Sequence, residues 1–80
     1  MKYTIALFGI TKEIVGKSST IIETAEPADV QTLLEVLKNQ YPKLAAIRSL
    51  LVAVNSEYAN GQQVVEEHDE IALIPPVSGG

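Results

Sequence analysis

The chain has 80 residues, 46% of them hydrophobic, and it contains no cysteine. A chain of this length folds as one domain with a small core, and the lack of thiols excludes disulfides, thiolate zinc sites and cysteine nucleophiles. Ten acidic and six basic residues give a formal net charge of -4, which argues against nucleic acid and favours a basic partner surface. The N-terminus lacks a cleavable signal pattern and the longest apolar run is Leu50–Val54, so we expect a cytoplasmic protein without membrane association.

The first predicted element is a strand over residues 2–8, where side chains alternate with the period of two expected for one buried face. Tyr3, Ile5 and Leu7 form the buried set. Phe8 has the opposite parity, and it is therefore expected to lie on the other face of the sheet.

The next elements are a second strand and the main helix. Residues 18–24 are rich in β-branched side chains and predict a strand that pairs with the first, with one helical turn at most in residues 11–16 between them. The helix follows, with Asp29 as its N-cap and Pro42 preventing its continuation. Its apolar stripe has helical spacing and consists of Val30, Leu33, Leu34, Leu37 and Tyr41.

The second half of the chain returns to the sheet. We predict a short helical turn in residues 44–48, a strand for the sheet interior in residues 50–54 and a final strand in residues 71–74. A turn at Asn60-Gly61, with a possible short strand nearby, and a solvated acidic loop at residues 66–70 lie between these strands. This order predicts an α+β fold in which one main helix crosses one face of a sheet of four or five strands.

A sheet covered by a helix on one face leaves its other face open. Phe8 belongs to that face, and Ile74 joins it if Ile71 and Leu73 point toward the helix. An exposed apolar patch there is typical of a protein interface. The alternative is that both residues lie at strand ends under loops, and the pattern alone leaves the two interpretations open.

The C-terminal segment reads as a strand that continues into a thin tail. Pro75 and Pro76 remove backbone donors and end the sheet ladder, and the chain finishes in two glycines. Residues 76–80 reach at most roughly 16–18 Å when extended, which is enough to enter a deep groove in another protein. We therefore predict a domain of residues 1–75 and a flexible tail of residues 76–80, and the alternative is a frayed terminus.

The sequence does not contain a recognisable set of catalytic residues. His68 is the only histidine and lies among four acidic residues, so we interpret it as a solvated loop residue and predict no metal site. The remaining candidate is the α-carboxylate of Gly80, which becomes a useful electrophile only after activation, for example as an acyl-adenylate. The chemistry would then be performed on this protein by others.

Two stretches carry a family resemblance, Ala53-Val54-Asn55 and the run from Asp69 to Gly80 with its Pro-Pro-Val-Ser-Gly-Gly ending. The sequence resembles the small, sulfur-carrier subunits of molybdopterin synthases, which belong to the ubiquitin-like β-grasp sulfur carriers with a mixed sheet. The resemblance covers the whole chain. One departure is His68, where the family often has glycine.

The resemblance implies that an adenylating enzyme activates Gly80 with ATP, that the carboxylate becomes a thiocarboxylate, and that its sulfur is donated to cyclic pyranopterin monophosphate to build molybdopterin. It implies a heterotetramer with the large subunit of molybdopterin synthase and no cofactor bound by this chain. The residues inserted into the large subunit before Gly80 would be Pro75, Pro76, Val77, Ser78 and Gly79. The hydrophobic contacts to that subunit would be Phe8, Tyr58 and Ile74.

Three other functions compete with this interpretation. A sulfur carrier of another pathway, such as thiamine thiazole synthesis, shares the fold and the Gly-Gly ending but is usually shorter and lacks the Pro-Pro-Val-Ser approach. A ubiquitin-like modifier conjugated through Gly80 starts from the same adenylated glycine. A plain interaction domain with an inert tail is the third alternative.

Overall fold

A computed structural model of the chain describes residues 1–76. The strands are β1 (Lys2–Leu7), β2 (Ser19–Glu23), β3 (Leu51–Val54), β4 (Glu57–Tyr58) and β5 (Ile71–Ile74). The α-helices are α1 (Ile10–Val15) and α2 (Val30–Gln40), and a 3-10 helix spans Pro42–Ala46. The tail residues Val77, Ser78, Gly79 and Gly80 lie outside the described residues, so the predicted boundary between domain and tail stays a prediction.

The strands of the described chain form one mixed sheet in the order β2-β1-β5-β3-β4. The first and last strands, β1 and β5, lie side by side and parallel, whereas the other neighbours are antiparallel. The pairing of β1 with β2 confirms the predicted hairpin-like pair, and the mixed sheet with one main helix confirms the predicted α+β fold.

The core lies between the helices and one face of this sheet. The predicted parity of β1 is confirmed, because Tyr3, Ile5 and Leu7 are at most 2% exposed. The core cluster combines apolar side chains from the sheet, the helices and the loops: Tyr3, Ile5, Leu7, Ile22, Ala28, Val30, Leu33, Leu37, Leu44, Val52, Val54, Val65, Ile71 and Leu73.

Helix α2 begins as predicted, since the Asp29 side chain accepts a hydrogen bond from the Thr32 N–H at 2.8 Å. Two further N–H groups of its first turn, those of Val30 and Gln31, donate to the carbonyls of Gln63 and Gly61. The weakly patterned segment after β4 therefore satisfies backbone donors that a helix start leaves without intrahelical partners.

The predicted helical turn at residues 44–48 is displaced in the structure. The 3-10 helix begins at Pro42, because the fixed φ of proline suits the first position of a helix and its missing N–H needs no partner there. Pro42 therefore ends α2 and starts the next helical segment. Helix α1, with six residues, is longer than the single turn predicted.

No helix within residues 1–76 is long and apolar enough to cross a membrane.

The fully buried hydroxyl of Tyr3 gives a prediction about stability. It donates to the Val65 carbonyl at 2.9 Å and accepts from the Ala28 N–H at 3.0 Å. Tyr3→Phe leaves both backbone groups without this partner, so we expect a loss of about 1–3 kcal/mol in unfolding free energy. The measurement is urea unfolding.

The matched control is Tyr41→Phe, because among the described residues the hydroxyl of Tyr41 makes only a long, partly buried contact of 3.4 Å with Thr20 Oγ1. Its stability should change less. Equal losses for the two variants would contradict the role given to the Tyr3 hydroxyl.

Candidate functional site

The face of the sheet opposite the helices carries a group of apolar side chains. A groove of about 730 Å³ lies on it, lined by these apolar side chains and by residues 67–70 of the acidic loop. We call this surface the apolar face and define it by Ala6, Phe8, Leu51, Ala53, Tyr58, Ala72 and Ile74. The structure thus brings Phe8, Tyr58 and Ile74 together on one face, as expected from strand parity for Phe8 and Ile74.

Phe8 lies directly after β1 and is 52% exposed. Its backbone is held by Thr11, whose fully buried hydroxyl donates to the Phe8 carbonyl at 2.6 Å and accepts from the Phe8 N–H at 3.0 Å. This turn ends β1 and begins α1. The N-cap residue of α1 is Gly9, which makes no side-chain capping hydrogen bond. The exposed aromatic ring therefore stands on an ordered backbone.

Leu51 is a member of the apolar face that sequence reasoning missed. It lies directly opposite Ile74 in the antiparallel pairing of β3 with β5 and is 48% exposed. In the sequence it belongs to the uninterrupted apolar run Leu50–Val54, which has no alternation to assign faces. Only the register with β5 shows which side it occupies.

Tyr58 reaches the apolar face through a tight turn between β3 and β4. Asn55 and Ser56 form this turn with φ values of +52° and +69°, the left-handed geometry of a two-residue hairpin. Tyr58 then pairs with Ala53, and its side chain is 70% exposed. The Asn60-Gly61 turn was also predicted and is present, but it lies in the loop after β4 and does not join two strands.

An acidic loop borders the groove, and its predicted solvated character is wrong for one residue. The Asp69 side chain is only 12% exposed, and its two oxygens accept hydrogen bonds from Asn55 Nδ2 at 3.0 Å and from the Glu66 N–H at 2.8 Å. The backbone of Glu66, then the amide of Asn55, and finally the charge of His68 lower the pKa of Asp69. Asp69 is thus a structural carboxylate, while Glu66 and His68 are exposed.

Glu66, His68 and Asp69 bring potential metal-ligand atoms within 4.8 Å of one another. Both oxygens of Asp69 already accept hydrogen bonds, and the Nε2 of His68 lies 3.5 Å from Glu66 Oε2. The group is explained by contacts within the loop and with Asn55 of the β3–β4 turn, so the structure gives no reason to assign a cation to it.

The lowered pKa of Asp69 predicts a pH dependence of stability. Folding favours the ionised form of Asp69, so the stability that this carboxylate contributes is complete above about pH 5. That stability is lost as the pH falls through the native pKa, which lies below the ordinary value of about 4. Between pH 5 and pH 2, Asp69→Asn should lose less stability than the unaltered protein in urea titrations.

Asp29→Asn is the control for this titration. Hydrogen bonds from the side chain and the backbone of Thr32 also lower the pKa of Asp29. This variant therefore removes one carboxyl group whose pKa is lowered, and it keeps the carboxyl group of Asp69. If Asp69→Asn lost as much stability on acidification as the unaltered protein, the role of the Asp69 carboxylate would be refuted.

The C-terminal segment leaves the sheet beside the apolar face. Pro75 follows Ile74 directly, and a Cβ on Gly9 would lie 3.1 Å from Pro75 Cγ, so the backbone of Gly9 packs against this proline. Pro76 is exposed. The other predicted site residues, Val77 to Gly80, fall outside the described part of the chain.

Comparisons with known proteins give consistent results. The sequence matches the ThiS family over residues 5–80. It is 41% identical over 85 residues to the molybdopterin synthase sulfur carrier subunit of Dictyostelium discoideum, which covers 99% of this chain and 96% of the relative. The structure is similar to SAMP1 from Haloferax volcanii, with a TM-score of 0.85, 27% identity and complete coverage of both chains.

A third similarity is to a chain in the complex of subunits 1 and 2 of molybdopterin-converting factor from Helicobacter pylori. The TM-score is 0.68 at 22% identity, again with complete coverage of both chains. At this identity the likeness shows the fold. Together with the other relatives it confirms the β-grasp fold and the resemblance to sulfur carriers predicted from the sequence.

Proposed function

The chain belongs to the ThiS family, and we propose that it is a sulfur carrier whose C-terminal Gly80 donates sulfur in molybdenum cofactor biosynthesis. The end-to-end similarity to a molybdopterin synthase sulfur carrier subunit is the observation that carries this proposal. The family match extends to residue 80, so it includes the Gly-Gly ending that the chemistry needs.

The chemistry starts at the α-carboxylate of Gly80. One carboxylate oxygen attacks the α-phosphorus of ATP on an adenylating enzyme, and pyrophosphate leaves. Sulfur at the oxidation level of sulfide then attacks the acyl carbon and displaces AMP, which leaves a thiocarboxylate. When this sulfur is donated to cyclic pyranopterin monophosphate, water cleaves the acyl C–S bond and supplies the oxygen that returns the terminus to a carboxylate. The ATP is used by the adenylating enzyme, and we propose that the chain itself binds no cofactor.

The partner that receives the thiocarboxylate would be the large subunit of molybdopterin synthase, in a heterotetramer. The apolar face supports this proposal, because it exposes Phe8 and Tyr58 beside Ile74, and aromatic side chains are enriched at protein interfaces. The acidic loop at the edge of the groove favours basic groups on the partner. Since activation consumes ATP, we place the protein in the cytoplasm.

We propose that residues 76–80 carry Gly80 through a narrow channel in the partner. This proposal predicts the effect of a substitution at Gly79. Gly79→Val adds a branched Cβ to a segment that the partner must enclose, so we expect turnover to fall on the order of 100-fold through misplacement of the terminus. The denaturant midpoint should stay unchanged. Ser78→Ala is the control, because it adds no bulk, and unchanged turnover in Gly79→Val would mean that the tail is not tightly enclosed.

The direct test of the proposal is the intact mass of the protein purified from its native cell. Replacement of one oxygen by sulfur at the C-terminus is the expected result. A terminus that never carries sulfur, even with the adenylating enzyme, ATP and a sulfur donor present, would refute a carrier function.

A second candidate function is protein modification through Gly80. The similarity to SAMP1 favours it, since a solved structure of the same fold from Haloferax volcanii is described as small archaeal modifier protein 1. Both functions begin with an adenylated glycine, but only a modifier forms an isopeptide bond with a lysine. A branched lysine adduct in the same mass analysis would support the modifier.

A further inference from the structure

The side chain of Asn55 joins two segments that are far apart in sequence. Its Nδ2 donates to Asp69 Oδ1 at 3.0 Å, and its Oδ1 accepts from the Glu70 N–H at 2.9 Å. The Asn55 N–H donates to the Glu70 carbonyl at 2.7 Å. Three hydrogen bonds therefore tie the β3–β4 turn to the residues that lead into β5.

Asparagine is well suited to this position. Its short amide offers both donors and an acceptor, and its backbone tolerates the left-handed conformation that Asn55 adopts at φ +52°. Aspartate would lose the donor, and glycine would keep the backbone geometry but lose both side-chain bonds. The two side-chain bonds of the tie to β5 thus depend on one residue, and the backbone bond does not.

The position of Tyr58 depends on this turn, because neither long strand pairing nor core packing fixes the residue. Strand β4 has only two residues, and within residues 1–76 it lies at the edge of the sheet and pairs with β3 alone. The Tyr58 side chain is 70% exposed, so core packing does not fix it. One further backbone bond, from the Ala59 N–H to the Val52 carbonyl at 2.9 Å, closes the hairpin.

We propose that Asn55 is a positioning residue for partner binding, which holds Tyr58 at the apolar face by tying the β3–β4 turn to Asp69 and Glu70. Asn55 acts through Tyr58 and need not touch the partner. The inference rests on the proposed function, because it assumes that the apolar face binds the large subunit.

The first experiment needs no partner. Amide hydrogen exchange of Ala59 is compared between the unaltered protein and Asn55→Gly, which removes the two side-chain bonds and keeps the turn conformation. Exchange at Ala59 should accelerate roughly five- to tenfold, the effect of losing about one net hydrogen bond. Exchange at Leu33, whose N–H donates to the Asp29 carbonyl in α2, should stay the same.

Asn60→Gly is the matched control. Its side chain also accepts one backbone hydrogen bond, from the Gln62 N–H at 2.9 Å, but it belongs to the loop after β4. It is the same change of residue type as Asn55→Gly, at a position where φ is not positive. Equal acceleration at Ala59 in both variants, or no acceleration in Asn55→Gly, would overturn the proposal.

The second experiment is a double-mutant cycle for binding to the large subunit, with Asn55→Gly and Tyr58→Ala. We expect Asn55→Gly to weaken binding roughly fivefold when Tyr58 is present and less than twofold when it is alanine. The same weakening in both backgrounds would show that Asn55 does not act through Tyr58 and would overturn the inference.

The carrier function and the positioning role of Asn55 can be refuted independently. If the terminus carries sulfur and the large subunit binds, but Tyr58→Ala leaves affinity unchanged, the positioning role is wrong while the carrier function stands. If sulfur is never found at Gly80, the proposed function is wrong whatever the exchange rate of Ala59.

Discussion

Addition of one alanine after Gly80 is expected to reduce molybdopterin formation to the background of a reconstituted assay. The acyl carbon that is adenylated would then belong to the added residue, and Gly80 would carry an ordinary amide bond that cannot be adenylated. The fold should be unaffected, because the core and all strands of the described structure lie within residues 1–76. Removal of Gly80 should give the same loss.

The measurement pairs activity with a denaturant midpoint on the same preparation, after intact mass has shown that the added residue is still present. A removable extension is the control, since cleavage back to Gly80 should restore activity. If the unprocessed variant still supported molybdopterin formation, the reactive group could not be the carboxylate of Gly80, and the mechanism proposed above would be wrong.

Much of the fold follows from local patterns in the sequence. The alternation in residues 2–8 predicts which side of β1 is buried, and the helical spacing of the α2 stripe, together with Asp29, predicts where α2 begins. These elements are predictable because one face of each is apolar and the other polar, so the period alone assigns the faces. Phe8 could be placed on the apolar face for the same reason.

The parts that were not predicted depend on contacts between distant residues. Leu51 lies in a run of apolar residues, and its face is decided by its register with Ile74 in another strand. Asp69 looks like one more solvated acid until the β3–β4 turn brings Asn55 to it across 14 residues of sequence. A charged residue in a loop carries no local signal of such a partner. Tyr58 was assigned to the site from the family resemblance alone, since its strand has only two residues.

Phe8→Ala should weaken binding to the large subunit by about 2 kcal/mol, roughly 30-fold in Kd, and should change unfolding free energy by less than about 1 kcal/mol. The reason is its position, because the ring is 52% exposed on the apolar face and its backbone is held by Thr11. Truncation of such a side chain removes an anchor for the partner and leaves no cavity in the core.

Leu7→Ala is the matched control, since Leu7 is the preceding residue with the opposite parity and is only 2% exposed. Its truncation should cost about 2–5 kcal/mol of unfolding free energy. Both variants are measured by urea unfolding and by affinity for the large subunit, at protein concentrations where each is folded. A loss of stability in Phe8→Ala equal to that in Leu7→Ala, with affinity unchanged, would invert the assignment of the faces. The partner would then have to bind elsewhere on the sheet or on the helices, and the position of Phe8 beside the root of the C-terminal segment would carry no functional meaning.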